Sequence, residues 1–178
     1  MIRIGAGALA GRIIEQPKTD KTRPLTAKVR ASIFNRLGDI QGLSVLDTYA
    51  GSGAFGIEAA SLGASHISFI ERSRPVAQVI ERNLDLLGIN NATVMPRSVL
   101  EATKQLRGQS FDIIFADPPY DQLSVEELNI LFLLLSEHGI GIISHSSRST
   151  SPQLKAAELI DARTYGDTTI SYYRGKIS

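Results

Sequence analysis

The chain has 178 residues, 43% of them hydrophobic and none of them cysteine. That length and apolar fraction suit one domain with a real core, and they exclude a disordered chain, a disulfide framework and a cysteine nucleophile. Formal net charge is only +1, yet residues 1–36 carry eight Lys and Arg against two acids (net +6), while the other 142 carry 11 basic and 16 acidic side chains (net −5).

A basic segment joined to a mildly acidic body suits either a solvated surface or contact with a polyphosphate such as a nucleic acid. No apolar run reaches the roughly 18 residues of a membrane span, and the first residues, MIRIGAGALAGR, do not read as a signal peptide. A cytoplasmic protein with no membrane partner is expected. In chain order, residues 1–16 read as a small hairpin or an irregular extended start, and a polar stretch from Pro17 to Pro24 follows. Thr26 then caps a helix whose apolar positions are Val29, Ile33, Phe34 and Leu37. The division expected is a basic hairpin or arm over 1–25 and a catalytic core over 26–178, within one domain.

From Leu43 onward strands and helices alternate. Strands are expected at Leu43–Asp47, His66–Glu71, Ala92–Met95, Phe111–Ala116 and Ile140–Ser144, with helices near 55–62, 74–87, 98–106 and 124–137. The last helix takes in the Ile130–Leu135 block. Such alternation predicts βαβ units, hence a mostly parallel sheet with helices on both faces. Arg163–Tyr165 and Thr168–Arg174 flank Gly166–Asp167, a hairpin turn signal, so the sheet should finish in antiparallel strands.

Two segments carry chemistry. In VLDTYAGSGAFG, Gly51, Gly53 and Gly56 match G-x-G-x-x-G, and Glu71 lies 20 residues past Gly51, placed to accept from ribose hydroxyls. That pattern alone would also fit a nicotinamide-dependent oxidoreductase. Asp47, four residues before Gly51, argues against it: a carboxylate there repels a pyrophosphate but suits a ligand bringing positive charge, such as the sulfonium and amino group of S-adenosylmethionine. The second segment, FDIIFADPPY, runs a buried strand into two prolines that stop the ladder, so Asp117 and Tyr120 project from the strand's carboxyl end. Asp117 and the Pro118 carbonyl can accept the two hydrogens of an exocyclic amine, and Tyr120 can stack on its base. No metal is called for. His66, His138 and His145 lack ligand spacing and read as ordinary surface or strand-end residues.

Asp47–Gly56, Glu71 and Asp117–Tyr120, in this order, resemble class I S-adenosylmethionine-dependent methyltransferases that act on amino nitrogens. Ile2–Gly7 with Gly11-Arg12, Arg23-Pro24-Leu25-Thr26, Val29-Arg30, Ile33–Asn35, Tyr165–Thr168 and Tyr172-Tyr173 resemble, within that class, the bacterial 16S rRNA guanine-N2 methyltransferase family. The resemblance covers nearly the whole chain and implies a Rossmann-like fold with a seven-stranded sheet and a C-terminal antiparallel hairpin. It implies S-adenosylmethionine held by Asp47, Ala50, Gly51, Ser52, Gly53, Glu71, Arg72, Ser98, Val99 and Asp117. Catalysis is implied at Asp117, Pro118 and Tyr120, and substrate contact at Arg12, Arg23, Thr26, Arg30, Pro119 and Tyr120. It further implies a monomer acting on 16S rRNA within a small subunit or its assembly intermediate. The chain departs from the family pattern at Leu25, Ala31, Ser98, Ser144-His145 and, conservatively, Tyr120. The rival readings are an adenine-N6 methyltransferase, for which residues 121–139 leave no room for a target-recognition insert, and a non-catalytic RNA-binding assembly factor.

Overall fold

The computed structural model describes residues 1–18 and 25–176. Two short strands, β1 (Ile2–Arg3) and β2 (Ile13–Ile14), pair antiparallel at the start of the chain. They are joined to the rest by apolar contact, with Ile4 and Ile14 at most 1% exposed inside the main core. Helix α1 (Ala27–Leu37) begins at Thr26, whose hydroxyl accepts from the Val29 N–H at 3.3 Å.

Then come β3 (Ser44–Thr48), α2 (Ala54–Ser61), β4 (His66–Ile70), α3 (Arg74–Leu87), β5 (Ala92–Met95), α4 (Val99–Gln105), β6 (Phe111–Ala116), α5 (Val125–Phe132), β7 (Leu135–Ser146), β8 (Ala157–Tyr165) and β9 (Thr168–Gly175). Strands β3 to β9 form one seven-stranded sheet in the order β5-β4-β3-β6-β7-β9-β8. The first five positions are parallel, and β9 pairs antiparallel with both β7 and β8. The expected Rossmann-like α/β sheet with its closing hairpin is therefore present. Both faces are covered, which is why β3 and β6 are buried almost throughout rather than on alternate residues. Side chains of α1, α2 and α3 pack on one face with Val45, Ile67, Phe115 and Tyr172, and those of α4 and α5 on the other with Leu46, Ile114, Ile143 and Tyr173. Phe34, Phe55 and Phe115 stack in a column from α1 through α2 to the sheet, with ring centroids 4.7 and 4.0 Å apart.

Two expectations need correcting. The helix expected over 124–137 stops at Phe132, and the strand expected from Ile140 starts at Leu135. The block Ile130–Leu135 is thus divided: Leu131 and Phe132 are buried from the helix, Leu133 is 73% exposed where the helix ends, and Leu135 pairs with Phe111. A short apolar run has no period that separates helix from strand, so tertiary pairing decides. The penultimate strand is nine residues long rather than three. Its exposed positions include Glu158 and Arg163, and a register shift lies between Leu159 and Asp161, as suits a strand at the sheet edge.

Candidate active site

Strand order reverses direction at β3: the chain moves outward through β4 and β5, then returns to place β6 on the other side. The crevice at the carboxyl ends of β3 and β6 is where open α/β sheets bind ligands, and both chemistry-bearing segments end there. Asp47 and Thr48 of β3 sit opposite Phe115 and Ala116 of β6, and the Thr48 hydroxyl donates to the Phe115 carbonyl at 2.9 Å. Tyr49 and Asp117 therefore leave the sheet side by side.

The glycine loop turns tightly beyond β3. Gly51 takes φ +56°, and a side chain there would have open space around it, leaving the backbone accessible to a ligand. Gly56 has the opposite reason: an added Cβ would lie 2.3 Å from the Phe69 ring, so only glycine lets α2 settle on β4. The Gly56 N–H donates to Asp47 Oδ2 at 2.9 Å. The Glu71 carboxylate, just beyond β4, accepts from the Gly51 N–H at 3.0 Å and the Ser73 N–H at 2.9 Å.

Three carboxylates, Asp47, Glu71 and Asp117, thus gather at this edge. Burial pushes the Asp47 carboxyl well above the ordinary carboxylate range, against the Gly56 hydrogen bond, and the charges of Asp117 and Glu71 push it further up. Asp117 is pushed up to about 6 by burial, with hydrogen bonding from Ser144 pulling the other way. Among the described residues, no lysine or arginine forms an ion pair with any of the three. The donor set is that of a receptor for a ligand carrying positive charge, with open room over Gly51 for it; a pyrophosphate would meet repulsion.

Other expected site residues fall elsewhere or carry further duties. Ser98 caps α4: its hydroxyl accepts from the Glu101 N–H at 3.3 Å while the Ser98 N–H donates to Glu101 Oε2 at 3.1 Å, a reciprocal capping box. Val99 is buried in the α4–α5 core, and Arg72 is exposed beside Glu71. Pro118 is buried and Pro119 half-buried. Arg12 is exposed on the N-terminal hairpin, Thr26 is spent partly on its helix cap, and Arg23 lies outside the described residues. Arg30 was expected on the RNA side, but its guanidinium is only 2% exposed: Nε donates to Glu58 at 2.5 Å and Nη2 to the Arg3 carbonyl at 2.8 Å. Helix α1 turns this position toward α2, so the charge joins two helices and the first strand.

Several residues escaped the reading of motifs. Tyr49 is a non-glycine residue at φ +55° whose hydroxyl donates to Glu127 of α5. Backbone of that kind is found where a site holds strain, and its place between Asp47 and Gly51 was the available signal. Asn83 of α3 is 1% exposed and donates to the carbonyls of Ser52 and Glu15 at 3.2 and 3.0 Å while accepting from the Glu15 N–H at 2.8 Å. It joins the glycine loop to the N-terminal segment. His145 does lie at a strand end, penultimate in β7, but is 1% exposed and fully engaged; Nδ1 donates to the Ser146 carbonyl, and Nε2 accepts from the Ser171 hydroxyl at 2.8 Å. It pins the loop after β7 to β9.

The family model described as "Conserved hypothetical protein 95" matches residues 2–174. The chain is 32% identical to "Putative rRNA methyltransferase YlbH" of Bacillus subtilis, over 97% of this chain and 98% of that one. It is 38% identical to "Ribosomal RNA small subunit methyltransferase D" of Escherichia coli over 73% of this chain and 66% of the relative. The solved structure "Putative methyltransferase yhhF from Escherichia coli" superimposes with a TM-score of 0.87 at 29% identity, covering 99% of both chains.

Proposed function

The chain is a methyltransferase of the Conserved hypothetical protein 95 family, and from that premise we propose that it methylates the exocyclic N2 amine of a guanine in 16S rRNA, using S-adenosylmethionine. The observation that carries this reading is the meeting of Asp47, Gly51 and Glu71 with Asp117–Tyr120 at one sheet edge. When bound, the cofactor supplies an electrophilic methyl group on a positively charged sulfur. Asp47 and its neighbouring carboxylates attract that charge, while Glu71, fixed by two backbone N–H groups, keeps the loop shaped to receive the rest of the molecule. Ser98, half-buried at the start of α4, is the residue placed to meet the adenine side, and Val99 supports it from the core.

An exocyclic amine on a purine is a weak nucleophile because its lone pair is delocalised into the ring. Asp117 accepts one of its hydrogens and the Pro118 carbonyl the other, which localises the lone pair and stabilises the charge that develops on nitrogen. On taking up the methyl group the amine would lose a proton, and Asp117, when ionised, would accept it. Tyr120 stacks on the base and fixes its angle of approach. The exposed Arg12, with Lys18 and the basic residues that follow, draws the RNA backbone, and a single unpaired or flipped guanine enters the pocket. The chain acts as a monomer in the cytoplasm, on a small subunit or its precursor.

The test is transfer of label from S-adenosylmethionine to small-subunit particles from cells lacking this gene, followed by nucleoside analysis. N2-methylguanine at one position supports the proposal; N6-methyladenine, or cofactor binding without transfer, overturns it. The same assay has an expected pH dependence. Asp117 accepts hydrogens only as the carboxylate, so kcat/KM should fall about tenfold per pH unit below about 6 and level off above it. A profile flat from pH 5 to 8 would remove Asp117 as the ionised acceptor.

A further inference from the structure

Tyr120 follows two prolines and begins a single turn of 3-10 helix, Tyr120–Gln122, with 43% of its surface exposed. An exposed aromatic on so short a turn has several staggered rotamers open to it, so the turn alone does not fix the direction of the ring. Its hydroxyl, however, is engaged. It lies 2.6 Å from Thr168 Oγ1 and 3.4 Å from Ser144 Oγ. Ser144 is fully buried near the end of β7.

Thr168 is the first residue of β9, directly after the Gly166–Asp167 turn, and it pairs in register with Ser146. The Ser147 N–H donates to the Asp167 carbonyl at 2.9 Å, so the hairpin tip is locked to the loop after β7. That loop and Tyr120 line an open groove of about 310 Å³, together with Leu123, Val125 and His145. The ring of Tyr120 is one wall of it, and the hairpin tip sets where that wall stands.

We propose that Thr168, at the tip of the C-terminal hairpin, is a positioning residue that works with Ser144 through the Tyr120 hydroxyl to hold the aromatic ring in its stacking orientation for the target base. This rests on the function proposed above. It gives the β8–β9 hairpin a part in the site: its tip preorganises the one aromatic side chain of the Asp-Pro-Pro-Tyr turn. A phenylalanine at position 120 would stack as well but would lose the tether, so the tyrosine hydroxyl acts through orientation and takes no part in proton transfer.

The test compares Thr168→Val, Thr168→Ser, Tyr120→Phe and the double variant Tyr120→Phe/Thr168→Val. For methyl transfer to small-subunit particles, Thr168→Val is expected to lower kcat about five- to tenfold with KM for the particle unchanged, the size of one lost hydrogen bond. Thr168→Ser should recover most of that loss. Tyr120→Phe should match Thr168→Val, and the double variant should be no slower than either single one, because both remove one interaction. A multiplied loss in the double variant, or Thr168→Val at the wild-type rate, overturns the proposal.

A second readout needs no RNA. With 3-fluorotyrosine at all five tyrosines, the resonance missing from Tyr120→Phe identifies Tyr120. It should shift or broaden in Thr168→Val and return in Thr168→Ser. An unmoved resonance overturns the tether, whatever the enzyme does. If the wild-type protein transfers no methyl to any particle, the rRNA reading falls and the fluorine spectrum alone decides the tether.

Discussion

Asp117→Ala is expected to lower kcat for methyl transfer by about 10²–10³-fold while changing cofactor affinity no more than a few-fold, as measured by labelled transfer and by calorimetric titration of the cofactor. Asp117 leaves β6 beside the end of β3, and the cofactor's other contacts, Asp47, the glycine loop and Glu71, are held by backbone N–H groups that do not depend on it. Removing the carboxylate takes away the acceptor that localises the amine lone pair and leaves the rest in place. Asp117→Asn should be nearly as slow, since an amide is uncharged and carries hydrogens of its own to be turned away from the amine.

Stability should move in the opposite direction from activity. Burial holds the Asp117 carboxyl up at about 6, above its ordinary 3.8, so ionising it costs folding free energy. That cost grows as pH rises from about 4 to about 6 and is fully present above. Alanine removes it, and the midpoint of denaturation at pH 7.5 should not fall. A variant that lost activity together with stability would point to a structural role; unchanged turnover would end the proposed mechanism.

Breaking the Arg30–Glu58 pair should produce the largest loss of stability. Both side chains are at most 3% exposed, and Arg30 also holds the Arg3 carbonyl, so the pair fastens α1, α2 and β1 together. Glu58→Ala leaves a guanidinium buried without its counter-charge, and Arg30→Ala leaves a buried carboxylate. Each is expected to cost about 3–5 kcal/mol in denaturant unfolding at pH 7. Replacing both by apolar residues, Arg30→Met with Glu58→Leu, should recover most of that, because no charge is then stranded. Turnover of the double variant also decides what the arginine does. Activity near wild type assigns Arg30 to the fold, whereas a stable but inactive double variant gives it a direct part in binding RNA.

Arg30 shows what a motif can and cannot convey. The resemblance sets it among the RNA-facing arginines, because it lies within Val29-Arg30 of the family pattern. The four positions Val29, Arg30, Ile33 and Phe34 are all buried, so Arg30 lies on the inner face of α1. The helical period set its neighbours as apolar, but nothing within α1 discloses the carboxylate waiting 28 residues later. The split of Ile130–Leu135 has the same origin. Six apolar residues satisfy either geometry, and pairing of Leu135 with Phe111 turned the last of them into strand.

The local sequence by itself determined the succession of strands and helices, the glycine loop after β3, the Asp-Pro-Pro-Tyr turn after β6 and the hairpin turn at Gly166–Asp167. Each is written in a contiguous stretch, because backbone permission, strand termination and turn formation act within a few residues. Tertiary structure alone decided that Asn83 meets both Ser52 and Glu15, that Ser144 lies near the Tyr120 hydroxyl, and that Thr168 reaches Tyr120 from 48 positions away. These contacts join elements whose adjacency comes from strand order and layer packing. A single residue's sequence neighbourhood carries no trace of either.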